Sequence, residues 1–193
     1  RTARRAMKVT PLELPELLLI EPYVYADERG YFTEGWQDTR YAAHGIAGPF
    51  VQDNLSFSRR AVLRGLHYQW PRAQGKLVSV LQGTVWDVAV DVRQDSPSFG
   101  RWVALELSEE NHRQLWVPPG YAHGFVVLSE TALFLYKVTA PYTPGDEVTL
   151  AWNDPAFGIT WPVVEPKLAP RDAAAPSFRD LPPDRVARIA IAR

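Results

Sequence analysis

The sequence predicts an all-β fold, a sandwich or jelly roll with short helices, and three observations carry that expectation. Aromatic residues make up 12% of the chain, with seven Trp, eight Tyr and eight Phe, a bias toward side chains that suit a pleated, half-buried surface. Seventeen Pro and twelve Gly supply the punctuation of many turns. Between those turns, short apolar or alternating runs recur, and few stretches have helical spacing. The 193 residues suit one domain. A domain of this size buries roughly 70% of the surface that its unfolded chain exposes, enough for a substantial core.

Residues 1–7 are read as an N-terminal extension, because Arg1-Thr2-Ala3-Arg4-Arg5-Ala6 leads into Met7, the only methionine, without an apolar signal core. The domain then covers residues 8–193. Strands are expected at Tyr31 to Trp36, Phe50 to Phe57, Val62 to Gln69 and Leu77 to Leu81, then at Thr84 to Val92, Trp102 to Leu107, Gln114 to Val117, Gly124 to Leu128 and Leu133 to Thr139. The period-2 signal is strongest in Thr84 to Val92: Trp86, Val88, Val90 and Val92 share one face, Asp87, Ala89 and Asp91 the other. Turns follow from Gln82-Gly83, Ser96-Pro97, Pro119-Gly120 and Pro144-Gly145. Asp38 to His44 suits one or two helical turns, and Ser108 to Asn111 a single one. From about Pro162 the chain becomes rich in Pro and Ala, which predicts a tail that wraps the domain and frays after about Leu181.

A net charge of −1 provides no general basic field, so no nucleic-acid partner is expected and an anionic ligand must be met by local arginines and lysines. No stretch approaches the length of a membrane span, so no membrane partner is expected either. The chain has no cysteine, which excludes disulfides and thiolate chemistry without fixing a compartment. A cytoplasmic enzyme is the default expectation.

Two segments concentrate chemistry. Leu63-Arg64-Gly65-Leu66-His67-Tyr68-Gln69, followed by Gln74-Gly75-Lys76, gathers a histidine, an arginine and a lysine around one strand. Pro118-Pro119-Gly120-Tyr121-Ala122-His123-Gly124-Phe125 has the Pro-x-Gly-x-x-His spacing that closes a cupin site. Metal-binding cupins carry His-x-His and then a glutamate in the first segment; here Gln69 and Gln74 stand at the second histidine and the glutamate. Neutral amides are poor transition-metal donors, so the expected metal set is none and side chains are expected to carry the reaction.

His67 shares its strand face with Gly65 and Gln69, and the nearby Arg64, Lys76 and His123 favour a working imidazole over a core histidine held by one backbone bond. Asp172 lies among small residues in the tail. Tail aspartates are usually solvated, but a tail that folds back brings this one to an imidazole whose basicity it would raise. Tyr136 shares a face with Phe134 and Val138 and, taken alone, reads as a core ring with a wet hydroxyl. Arg29 and Arg64 offer guanidinium forks that match phosphate oxygens, with surface salt bridges as the plainer reading. Gln52-Asp53-Asn54 suits a sugar or base edge and equally an ordinary strand end.

Taken in order, Asp-Glu-Arg-Gly-Tyr-Phe at 27–32, Val-Gln-Asp-Asn at 51–54, the two segments above, Asp-Val-Arg at 91–93, Ser-Pro-Ser-Phe-Gly at 96–100 and Phe-Leu-Tyr-Lys at 134–137 resemble the dTDP-4-dehydrorhamnose 3,5-epimerases from about Lys8 to Pro176. The resemblance implies a cupin-like jelly roll and a homodimer with a shared active site. It also implies a dTDP-sugar substrate, inverted at carbons 3 and 5 with no cofactor. By motif, His67 is the catalytic base, Asp172 its partner, Lys76 the group facing the keto oxygen and Tyr136 the acid on the opposite face. Arg29, Phe32, Glu34, Gln52, Asn54, Arg64 and His123 fall at substrate-binding positions, with Arg29 and Arg64 on the diphosphate. Arg171 stands where family members often have Lys. The alternatives are an epimerase of a related deoxysugar acting at carbon 3 or 5 alone, a sugar ketoisomerase, a cupin that binds a sugar nucleotide without catalysis, and a metal cupin.

Overall fold

The computed structural model describes residues 7–14, 16–46 and 48–189; residues 1–6 of the expected extension lie outside the described residues. Two antiparallel sheets face each other as a jelly roll. The first has six strands: β1 (Lys8–Pro11), β2 (Leu18–Glu21), β5 (Gln52–Arg59), β7 (Lys76–Gln82), β10 (Gln114–Val117) and β12 (Thr131–Val138), in the order β1-β2-β10-β7-β12-β5. The second has five: β6 (Leu63–Gln69), β8 (Thr84–Asp91), β9 (Trp102–Ser108), β11 (Tyr121–Val127) and β13 (Glu147–Thr149), in the order β13-β6-β11-β8-β9. A separate hairpin pairs β3 (Val24–Asp27) with β4 (Gly30–Thr33). Helix α1 spans Asp38–Ala42, and α2 spans Pro170–Ala173 in the tail. All nine expected strand regions contain strand. The additional β1, β2, β3 and β13 are three or four residues long, too short for a periodic signal.

The main core lies between the sheets. Val78, Val80, Leu115, Val117 and Phe134 of the first sheet meet Val85, Ala89, Leu107, Tyr121, Phe125 and Val127 of the second. Full burial of each large aliphatic side chain contributes about 1.5–3 kcal/mol, so this layer is the main stabilising element. Strand β8 has two buried faces of different kinds. Val85, Asp87, Ala89 and Asp91 point between the sheets, whereas Val90 and Val92 lie in a second core with Leu66, Tyr68, Leu150, Phe157 and Ala187. The carboxylate-bearing face is therefore the interior one, and the tail covers the apolar one.

The tail does wrap the domain, but the expected fraying after Leu181 is corrected. Val186 and Ala187 are buried, the Tyr68 hydroxyl donates to the Arg185 carbonyl at 2.7 Å, and the Gln94 N–H donates to Ala187 O at 2.9 Å. Pro182 and Pro183 start a tight helical turn, Pro183–Arg185, instead of ending order, because proline at the first helical position presets the backbone angle. The helical turn expected at Ser108 to Asn111 is corrected too: Ser108 ends β9, and residues 109–111 form a turn and not helix. Asn111 Oδ1 accepts from Ser108 N–H and Ser108 Oγ from Asn111 N–H, both at 3.1 Å, so local side-chain bonds replace helical ones.

Candidate active site

Strand β6 enters the site through a bulge. Its pairing with β11 is regular at His123 opposite His67 and shifts before Phe125 opposite Arg64. Gly65 sits in that shift with φ +129°, and a Cβ there would stand 2.6 Å from Gly124 Cα. Glycine at 65 therefore lets the two backbones meet, and the bulge re-aims His67 toward the space between the sheets.

His67 and Asp172 are joined there. The imidazole Nε2 lies 2.7 Å from Asp172 Oδ1, and Asp172 Oδ2 also accepts the Gly65 N–H at 3.4 Å. Asp172 is buried within α2. Burial pushes its carboxyl up, but the hydrogen bond and charge of His67, with Gly65 and Arg171, hold it below the usual carboxylate value. An ionised partner can only accept, so Nε2 carries the proton and Nδ1 is the basic nitrogen.

Lys76 begins β7 with its side chain buried and its ammonium donating to His67 O at 3.2 Å. Burial lowers its pKa to about 8, against the opposing charges of Glu147 and Asp87. Tyr136 lies on β12 opposite Asn54 of β5 and Val78 of β7. Burial and the Glu147 charge raise its pKa, so the phenol holds its proton at neutral pH. His67, Lys76, Tyr136, Gln52 and Asn54 border one cavity of about 220 Å³.

The other expected residues divide into two groups. His123 is buried and bonds through Nε2 to both oxygens of Asp87, at 3.0 and 2.9 Å, while directly opposing His67 in register. Arg64 donates to Ser58 Oγ at 3.0 Å, on the β5 face that also carries Asn54, and to Phe57 O at 3.4 Å. Neither these two nor Arg29, Phe32 and Glu34 border the cavity. Arg29 forms a fork with Asp27 on the hairpin, Phe32 is 68% exposed, and Glu34 pairs with Arg40 beside α1.

Three residues near the site escaped sequence reasoning. Asp87 is fully buried behind His123; burial raises its carboxyl, opposed by His123 and Lys76. Its signal was a carboxylate in the middle of a strongly apolar strand. Tyr142 and Glu147 border the cavity and are hydrogen-bonded to each other at 3.0 Å. Both fall in a Pro- and Gly-punctuated stretch that reads as plain loop. Among the described residues, no group of three or more His, Cys, Asp and Glu is placed to hold one metal ion.

Comparison with known proteins identifies the family. The family model described as dTDP-4-dehydrorhamnose 3,5-epimerase matches residues 11–180. The dTDP-4-dehydrorhamnose 3,5-epimerase of Salmonella typhimurium is 53% identical over 173 residues, covering 88% of this chain and 94% of that protein. Its counterpart from Pseudomonas aeruginosa is 51% identical over 176 residues, covering 90% and 97%. Among solved structures, dTDP-6-deoxy-D-glucose-3,5-epimerase of Legionella pneumophila in complex with dTDP-4-keto-L-rhamnose superposes with a TM-score of 0.92 at 49% identity, covering 94% of this chain and 98% of that one. With the jelly roll, the tail-borne carboxylate and the cavity between the sheets all in place, the chain belongs to the dTDP-4-dehydrorhamnose 3,5-epimerase family.

Proposed function

We propose that this chain inverts carbons 3 and 5 of dTDP-4-dehydro-6-deoxy-D-glucose to give dTDP-4-dehydro-L-rhamnose. The observation that carries the reading is the convergence of the His67–Asp172 pair, Lys76 and Tyr136 on one cavity. His67 takes the proton from the carbon beside the ketone, and the C–H electron pair moves into the ring while the C4 carbonyl becomes an enolate. Lys76, a buried cation, stabilises that oxyanion. Tyr136 then delivers a proton to the opposite face of the same carbon as the enolate collapses to the ketone. Each inversion conserves atoms and electrons, so the chemistry calls for neither a redox cofactor nor an external oxidant. The same ketone acidifies carbons 3 and 5, so one site serves both.

Gln52, Asn54, Arg64 and His123 form the substrate-binding set of this chain, with Arg64 on the diphosphate. Arg29, Phe32 and Glu34 complete the site of a second copy in a homodimer. Two features support that sharing. The hairpin leaves Tyr25, Tyr31 and Phe32 exposed, and Leu55, Phe57 and Leu81 expose an apolar strip on the outer face of the six-stranded sheet. The decisive experiment follows dTDP-4-keto-6-deoxyglucose with the protein in deuterium oxide by proton NMR. Deuterium entering carbons 3 and 5 together with the rhamno product is expected; exchange at one carbon alone reassigns the chain to a single-site epimerase, and binding without exchange removes the catalytic reading.

A further inference from the structure

Gln69 and Gln74, the amides that stand where a metal cupin has ligands, are occupied by a loop. Residues 139–146 run along the mouth of the cavity between β12 and β13, carrying Tyr142. Gln69 Nε2 donates to Pro141 O at 3.2 Å and to Arg72 O at 3.1 Å, while its Oε1 accepts Thr143 N–H at 2.7 Å. Gln74 Nε2 donates to Ala140 O at 2.7 Å. Gln52 Oε1 accepts Tyr142 N–H at 2.9 Å. Four consecutive residues, Ala140 to Thr143, are thus tied by glutamine side chains from three different strands or strand ends.

The chemistry of position 69 is tightly specified. Two carbonyls and one N–H converge on a side chain that is 3% exposed, so it must offer two donors and one acceptor. Only a primary amide provides that set: a carboxylate has no donor, and a neutral imidazole has one. The amide orientation follows from the same partners, since Thr143 N–H must face the oxygen. Pro141 and Pro144 cannot donate, and the ends of the loop are held separately, Thr139 N–H by Gly75 O at 3.1 Å and Asp146 by Trp70 N–H and Arg72, which leaves Ala140 to Thr143 to the glutamines.

We propose that Gln69, seconded by Gln74, is a positioning residue that holds loop 139–146 so that Tyr142 walls the substrate cavity. The amides are then a fastening for the loop and not merely the remains of a metal site. The link to catalysis rests on the proposed epimerase reading, but the fastening itself does not. Gln69 itself borders the cavity, but its two donors and its acceptor are taken by backbone partners, so its loss is expected to act through the loop and weaken substrate capture more than turnover.

Two measurements test this. Hydrogen exchange of the free protein, read on residues 139–146, should accelerate in Gln69→Met, a side chain of similar length without donors. Unchanged exchange overturns the fastening whether or not the reaction is correctly assigned. In the epimerisation assay, Gln69→Met should raise KM roughly tenfold, the scale of a buried hydrogen-bond partner left unmade, with kcat little changed. Tyr142→Ala should raise KM too, and the double variant should be no worse than Tyr142→Ala alone, because both act through one wall. Additive effects overturn the coupling to Tyr142. Gln69→Glu supplies a third arm. Relative to wild type at each pH, it should fail at pH 8, where a carboxylate faces two carbonyls, and recover toward pH 5 as the protonated acid regains a donor. A pH-independent ratio overturns the requirement for donors.

Discussion

His67 and Asp172 are separated by 105 residues in sequence and by one 2.7 Å hydrogen bond in space. The tail makes that contact because α2 is held from both sides: Ala151 N–H donates to Pro176 O downstream of it, and Lys167 pairs with Ala61 and Leu63 upstream. Arg171 adds an ion pair to Glu147 on β13. The partner of the proposed base is therefore placed by the packing of a four-residue helix in an otherwise irregular tail, and its position depends on the whole tail.

One consequence is that His67→Asn should abolish deuterium exchange at both carbons, a loss of about 100- to 10,000-fold for a general base. Asp172→Asn should lose less, since the imidazole stays but its ionised partner does not. Asp172 also links the tail to pH. Its folded pKa lies below its unfolded one, so its contribution to stability is present above about pH 4 and is lost as pH falls through the folded value. Thermal denaturation from pH 7 to 3 should show a steeper acid loss in wild type than in Asp172→Asn; parallel curves would contradict the linkage.

Lys76 sets an alkaline limit. Only its cation stabilises an enolate, so kcat/KM should fall as pH rises through about 8, the value to which burial lowers the ammonium. The stability effect has the opposite sign. The cost of burying the cation is present below about 8 and lifts as pH rises toward the unfolded lysine value, so activity should decline while the fold does not. A kcat/KM profile with circular dichroism at each pH separates the two. Lys76→Met should lose at least roughly 100-fold in kcat and the alkaline limb with it. A retained limb assigns it to another group.

The proposed acid is tested by uncoupling. Tyr136→Phe removes the hydroxyl and keeps the ring beside Phe134. Deprotonation by His67 should continue, so wash-in of deuterium is expected to persist while inversion slows by about 100-fold or more. If Tyr136→Phe forms product at the wild-type rate, Tyr136 has no part in the mechanism.

Much of this architecture was legible in the chain because its signals are local. The alternation in β8 marks a strand whatever surrounds it, and the His67 and His123 motifs each sit within one strand, so their register pairing follows once β6 and β11 are neighbours. The direction in which β8 faces was not legible, because which of two burying surfaces takes Asp87 depends on where the tail lies. Asp87 was hidden for the same reason: a carboxylate in an apolar run acquires meaning only when His123 arrives from another strand. Gln69 was legible as a departure from a metal site but not as a loop anchor, since its partners lie 72 and 74 residues away. The end of the tail was misjudged because Pro182-Pro183 reads as a breaker when nothing is known of the core that receives Val186 and Ala187.

The hairpin completes the tests. Arg29 is 84% exposed and held only by its neighbour Asp27 in the described contacts, so it contributes nothing to the cavity bordered by His67 in the same chain. In the proposed homodimer it meets the diphosphate in the partner's site. Diphosphate binding is largely uniform between ground and transition states, so Arg29→Ala should raise KM by about tenfold or more and leave kcat nearly unchanged. The shared site adds a sharper expectation. Mixing Arg29→Ala with His67→Asn subunits at excess of the latter should create sites in which an intact His67 faces an intact Arg29 from the other chain, restoring low-KM activity to a part of the population. Sedimentation should show a dimer at assay concentrations. A fully active monomer, or mixed subunits with no low-KM fraction, would place Arg29 outside the site.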